Sequence, residues 1–302
     1  MQIARRSLLA AGGLMALAAC SSGNPVGSSS SSAGGGSTIV VASQQYYSNE
    51  IIAELYAQAL ENAGRTVDRQ YQIGQREFYL PELESGSIDL IPEYGGNLLQ
   101  YYDKSSTASD AEAIARALAD ALPSGLRVLD AAEASDQDSY TVTRATADEY
   151  SLGSIGDLGR IGGTVTMAAN SEFATRPYGT DGVRAAYGVD ITVLGVEDSG
   201  GPLTVKALTE GQAQAADIYT ADPAVEQNDL VVLTDPQNLI LPQRVTPLVS
   251  SRIDAAAAEA IGGVNARLTT DELRGLNRRS TVDQRSSADI ARDWLSSQGI
   301  VP

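Results

Sequence analysis

Beyond residue 37 the sequence alternates two periodicities, and that alternation limits the folds open to it. "STIVVAS" is a short run of β-branched apolar residues with the length and chemistry of a buried strand. It leads into "SNEIIAELYAQALENAG", where Ile51, Ile52, Leu55, Tyr56, Ala59 and Leu60 mark one helical face. Ser48 stands where a cap belongs and Gly64 where a helix stops. "TVDRQYQIG", "SIDLIPEY" and "RVLD" read as further strands, interleaved with the helices "FYLPELESG" and "AEAIARALADAL", the latter capped by Asp110. Strands follow near "GGTVTMA", "ITVLGV" and "AQAADIYT", and the tail is nearly all helix. This order predicts α/β lobes with mostly parallel sheets, whose ligand sites gather at the carboxyl ends of strands. About 265 residues are available, enough for two such lobes.

The first 37 residues read differently. Arg5-Arg6 precedes the apolar stretch "SLLAAGGLMALAA", too short to span a bilayer, which ends at Leu17-Ala18-Ala19-Cys20. This resembles a bacterial lipobox, so residues 1–19 are expected to be a signal peptide and Cys20 the lipidated residue. Cys20 is the only cysteine, which rules out an internal disulfide. Residues 20–37, almost wholly Ser and Gly after the cysteine, read as a flexible tether. A lipid, a tether and a folded body place the protein at the outer face of a membrane.

Composition removes several chemistries. "EDSGGPL" at residues 197–203 resembles the nucleophile segment of trypsin-like proteases, yet the chain contains no histidine to act as base. Zinc held by imidazole falls with the same count. Ser199 is therefore expected in a loop whose Asp198 and Ser199 cap a helix starting at Pro202. The formal charge of −17 becomes −19 once Arg5 and Arg6 are removed, and no basic patch exists to suit a nucleic-acid partner. A secreted enzyme using two converging carboxylates, with Glu93, Asp138 and Asp217 near strand ends, is the competing class.

The aromatic usage is lopsided: 13 tyrosines against 2 phenylalanines. A core has no reason to prefer Tyr, because each buried hydroxyl needs a partner. Several tyrosines sit at predicted strand ends, where a site belongs. In that setting "ASQQYYSNEIIAELYAQALENAG", "LESGSIDLIPEYGGNLL", "SYTVT", "SEFATRPYG" and "VKALTEGQAQAADIYTAD" together resemble the glycine betaine/carnitine/choline-binding proteins of osmoprotectant ABC transporters. The resemblance runs from about residue 38 to the C-terminus. It implies a two-lobed, periplasmic-type (type II) solute-binding protein whose lobes close on a compatible solute. Lobe 1 is then residues 38–141 with 244–302, lobe 2 residues 142–243, and the hinges lie near Tyr140–Thr143 and Pro242–Val245.

The family's chemistry is a tyrosine cage. A quaternary ammonium has no N–H to donate, so aromatic faces hold it by cation–π attraction. Carried over by the resemblance, Tyr94, Tyr140 and Tyr219 are cage residues, Arg176 binds a ligand carboxylate, and Asn97 takes the place of an assisting threonine. Gln44 stands where the family commonly has lysine. The late segment "LILPQRVTPLV" places Gln243 where a fourth aromatic is usual, so either the cage is open on one side, or Tyr46, Tyr47 or Tyr178 closes it, or the ligand is instead a phenolic or polyhydroxylated solute. The resemblance calls for no cofactor and no metal. It implies a membrane permease with its ATPase as partners, and a monomer suffices.

Overall fold

The computed structural model describes residues 38–302; Cys20 and the Ser/Gly segment lie outside them. Two five-stranded sheets form the frame. The first half of the chain runs β1 (Ile39–Ala42), α1 (Tyr47–Asn62), β2 (Val67–Gln70), α2 (Arg76–Ser85), β3 (Leu90–Tyr94), α3 (Gly95–Tyr102), α4 (Ala111–Ala121) and β4 (Leu126–Val128). Then follow β5 (Thr141–Thr143), α5 (Arg144–Tyr150), β6 (Val165–Ala169), α6 (Thr180–Tyr187), β7 (Ile191–Gly195), α7 (Pro202–Thr209), β8 (Ala215–Ala216), α8 (Ala224–Gln227) and β9 (Leu230–Val232). The chain then returns to the first sheet through β10 (Val245–Ser250) and ends in α9 (Ala255–Asn265), α10 (Thr270–Thr281) and α11 (Ser287–Ser297).

The sheet orders are β2-β1-β3-β10-β4 and β7-β6-β8-β5-β9. In each sheet four strands run in one direction, as expected, and a single strand, β10 in the first and β5 in the second, runs against them. The reason lies in the route of the chain. β1, β3, β6 and β8 finish at the cleft, whereas β5 and β10 enter their sheets from it. Val245, the first residue of β10, pairs with Tyr94, the last of β3.

Helices cover both faces of each sheet. In the first lobe, Leu55, Ile261 and Trp294 pack on one face, and Tyr79, Leu98 and Leu118 on the other. β3 and β10 are buried along their whole length, which is why "LIPEY" lacks a polar alternation. In the second lobe Leu158, Phe173 and Val183 fill one layer, and Leu208, Ala216 and Ile218 the other.

Local chemistry sets most helix ends. Asp110, Asp254 and Ser286 accept backbone N–H groups at the starts of α4, α9 and α11. Ser48 does not cap. It lies inside α1, where its hydroxyl donates to Asp136 at 2.9 Å. Two strands of backbone, residues 129–140 and 233–244, cross between the sheets. They also touch each other: Ser135 bridges Arg244, and the Asp136 N–H donates to the Gln243 carbonyl.

Candidate functional site

The carboxyl ends of β1, β3, β6 and β8 meet the first crossing segment around a small polar cavity of about 40 Å³. Gln44 and Tyr46 follow β1, Tyr94 closes β3, and Asn97 stands one turn into α3. The crossing segment contributes Asp136 and Asp138. From the second lobe come Asn170 and Glu172 after β6, and Asp217 and Tyr219 after β8. The turn around Phe173, Arg176 and Tyr178 completes that wall.

Tyrosine rings converge here. Tyr46 lies nearly parallel to Tyr94, with centroids 6.5 Å apart and 23° between planes, and meets Tyr219 edge-on at 5.1 Å. Tyr178 packs against Phe173 on the opposite side. Burial holds the phenols of Tyr46, Tyr94 and Tyr219 far above their ordinary pKa, so all three rings are neutral. The buried Tyr94 hydroxyl finds no hydrogen-bond partner among the described residues.

The charged groups fall into two kinds. Arg76 grips Glu93 through two 2.8 Å bonds, and Tyr79 adds its hydroxyl to the same carboxylate. Arg176 reaches Glu77 at 2.7 Å. Asp136 and Asp217 have no such cation. Burial pushes Asp136 up to about 7. Burial, then the charge of Asp138, raises Asp217 well above the usual carboxylate range.

The structure gathers Tyr94, Tyr219, Asn97, Gln44 and Arg176 at the cavity but moves two expected residues away from it. Tyr140 is fully buried in the second lobe, its hydroxyl donating to the Tyr178 carbonyl at 2.6 Å and its ring edge-on to Phe173. It supports the wall rather than forming it. Gln243 stands behind Asn97 as a clamp. It accepts the Asn97 N–H at 3.0 Å and donates to the Asn97 amide oxygen at 2.8 Å. Gly96 makes room for it, since a Cβ there would come within 2.8 Å of the Gln243 amide and the Pro242 carbonyl. Asn97 in turn donates to Asp138 at 2.7 Å. Arg176 lines the cavity with its guanidinium already engaged by Glu77.

Among the tyrosines considered for the fourth position, Tyr46 and Tyr178 face the cavity. Tyr47 points elsewhere and donates to Asp222. Sequence reasoning assigned no ligand role to Asp136, Glu172, Asn170 or Arg76. Their signal was position alone: Asn170 and Glu172 follow β6, Asp136 lies in the crossing segment and Arg76 opens α2.

Bonds between the lobes ring the cavity. Gln45 and Gln75 of the first lobe both donate to the Ser199 hydroxyl of the second, at 3.0 and 3.4 Å. Asn170 donates to the same oxygen at 3.0 Å. Ser199 is thus a latch and does not cap α7. That task falls to Asp198, which accepts the Leu203 N–H and the Thr204 hydroxyl.

Comparison with known proteins gives this geometry a lineage. Residues 37–297 match the family OpuAC, described as the substrate binding domain of ABC-type glycine betaine transport system. The glycine betaine-binding protein YehZ of Escherichia coli (strain K12) is 26% identical over 266 residues, covering 82% of this chain and 87% of its own. A glycine-betaine-binding protein of Pseudomonas aeruginosa is 24% identical over 258 residues, covering 81% and 83% respectively. A crystal structure described as a glycine betaine/carnitine/choline ABC transporter shares the two-lobed fold. Its TM-score is 0.68 at 19% identity, over 87% of this chain and 99% of that one. The chain belongs to the OpuAC family of ABC-transporter substrate-binding domains, and its work is to bind a solute, not to catalyse a reaction.

Proposed function

We propose that the two lobes close on a small quaternary ammonium solute and hold its methylated head among Tyr46, Tyr94, Tyr219 and Tyr178. One observation carries the reading: the neutral rings of Tyr46, Tyr94 and Tyr219 converge on one cavity. Such a head offers no hydrogen-bond donor, whereas desolvated aromatic faces attract it by about 2 kcal/mol or more at good geometry. Tyr46 supplies the aromatic surface that Gln243 does not, which removes the main reason to favour a phenolic or polyhydroxylated solute.

In the cell, the protein acts outside the cytoplasmic membrane as the receptor of an importer. It hands its solute to a permease driven by an ATPase, tethered as a monomer by a lipid on Cys20. The family supports the transport role, and the lipobox reading supports the anchor. No helix among the described residues is long and apolar enough to cross a membrane.

Calorimetry with glycine betaine, carnitine, choline, a polyol and a simple phenol tests the ligand class. Binding confined to the ammonium compounds is expected, and binding of only the phenol or polyol would overturn it. Cell fractionation of Cys20→Ala tests the anchor: the variant is expected to leave the membrane fraction, and its retention there would count against lipidation.

A further inference from the structure

Charge at the cavity points beyond the solute class to the kind of solute within it. Four carboxyl groups line the cavity: Asp136, Asp138, Glu172 and Asp217. Each is met by neutral donors. Asp136 accepts Ser48 and the Ala221 N–H, Asp138 accepts Asn97, Glu172 accepts Asn170, and Asp217 accepts the Ser139 N–H. Among the described residues, none of the four forms an ion pair. The two cations at the cavity are already matched, Arg76 by Glu93 and Arg176 by Glu77. With their partners they contribute no net positive charge. Protons on Asp136 and Asp217 would still leave Asp138 and Glu172 without a cation.

Resting on the quaternary ammonium reading of this site, we propose that the receptor selects solutes of net positive charge. The favoured ligand is an alkylammonium ending in a hydroxyl or a short apolar group, and its zwitterionic relatives bearing a carboxylate are disfavoured. A bound cation supplies the charge that the four carboxyl groups lack. A ligand carboxylate has no free cation to meet. It must either face like charges or displace Glu77 from Arg176, and unpaired or like-charged groups in a buried site are how a receptor rejects a near relative. A ligand hydroxyl, by contrast, can donate to one of the four carboxyl groups that line the cavity.

The test is calorimetry on the purified protein with choline, tetramethylammonium, glycine betaine and the neutral carbon isostere of choline. Choline and tetramethylammonium are expected to bind at least about tenfold more tightly than glycine betaine, a difference of about 1.4 kcal/mol, and the isostere is expected to bind weakly. Glycine betaine equal to or tighter than choline overturns charge selection while leaving the quaternary ammonium reading in place. Silence from every ammonium compound overturns both. Glu172→Gln, at a half-buried position, and Asp138→Asn are each expected to narrow the ratio of choline to glycine betaine affinity. A ratio unchanged in both variants also overturns the proposal.

Discussion

The cavity is flanked by two arginine–glutamate pairs that look alike on paper and differ in their surroundings. Arg76 and Glu93 belong to one lobe, with side chains 6% and 0% exposed. Arg176 and Glu77 face each other across the cleft, at 15% and 48%. The first pair is locked beneath the site and is further satisfied by the Tyr79 hydroxyl and the Tyr94 N–H. The second can part whenever the lobes do. One ion pair lies within a lobe, and the other joins the two lobes across the cleft.

The sharpest way to break this contrast is Glu93→Gln. It strands a buried guanidinium, so a stability loss of about 3–5 kcal/mol in urea unfolding is expected. A loss below about 1 kcal/mol would put the two pairs in one class.

Next comes pH, which acts on Asp136, a carboxyl buried without a cation. The folded chain raises Asp136 from an ordinary 3.8 to about 7. Between those values the folded state keeps a proton that the unfolded chain releases, so stability is expected to fall as pH rises from about 4 to about 7 and then level off. Asp217 acts with the same sign. A cationic ligand favours the ionised carboxyls, so its affinity is expected to rise through the same window. Thermal melts with and without choline across that range check both slopes, and an apo stability that rises with pH would refute the assignment.

Glu77→Gln is expected to change global stability by less than about 1 kcal/mol, because its carboxylate is half exposed. It is expected instead to enlarge the open population, visible in small-angle scattering or in fluorescence transfer between labels on the two lobes. Smallest of all is Ser199→Ala, which removes the shared acceptor of Gln45 and Gln75. A loss of about 1 kcal/mol or less in the closed state is expected, read as a faster ligand off-rate at unchanged melting temperature.

The residues legible in the sequence were those tied to regular structure. Tyr94 ends a strand whose unbroken burial made it recognisable, and Tyr219 follows one in the same way. Tyr140 misled because it sits at the end of the crossing segment, one residue before β5. Irregular backbone has no fixed alternation, so nothing local says which side chains face the cleft and which face the core. Gln243 misled for a different reason. It occupies the place where the family has an aromatic, but whether it meets the ligand or a neighbour depends on Asn97, 146 residues away. Of the four acids that line the cavity, Asp138 and Asp217 stood out by their place near strand ends, though as acids of a competing enzyme, whereas Asp136 and Glu172 were hidden among 38 Asp and Glu residues.

The place of β10 also bears on how such a receptor comes into being. It lies between β3 and β4, so until residues 245–250 exist the first sheet is only β2-β1-β3 beside a stranded β4. The second sheet is drawn wholly from residues 141–232 and can close on its own. Pairing Tyr94 with Val245 must wait for the long intervening chain, a contact of high sequence separation that forms late and slowly. A nascent chain stopped before β10 would hold a finished second lobe and an unfinished first. The cavity, which draws residues from both lobes, is therefore complete only once β10 is in place.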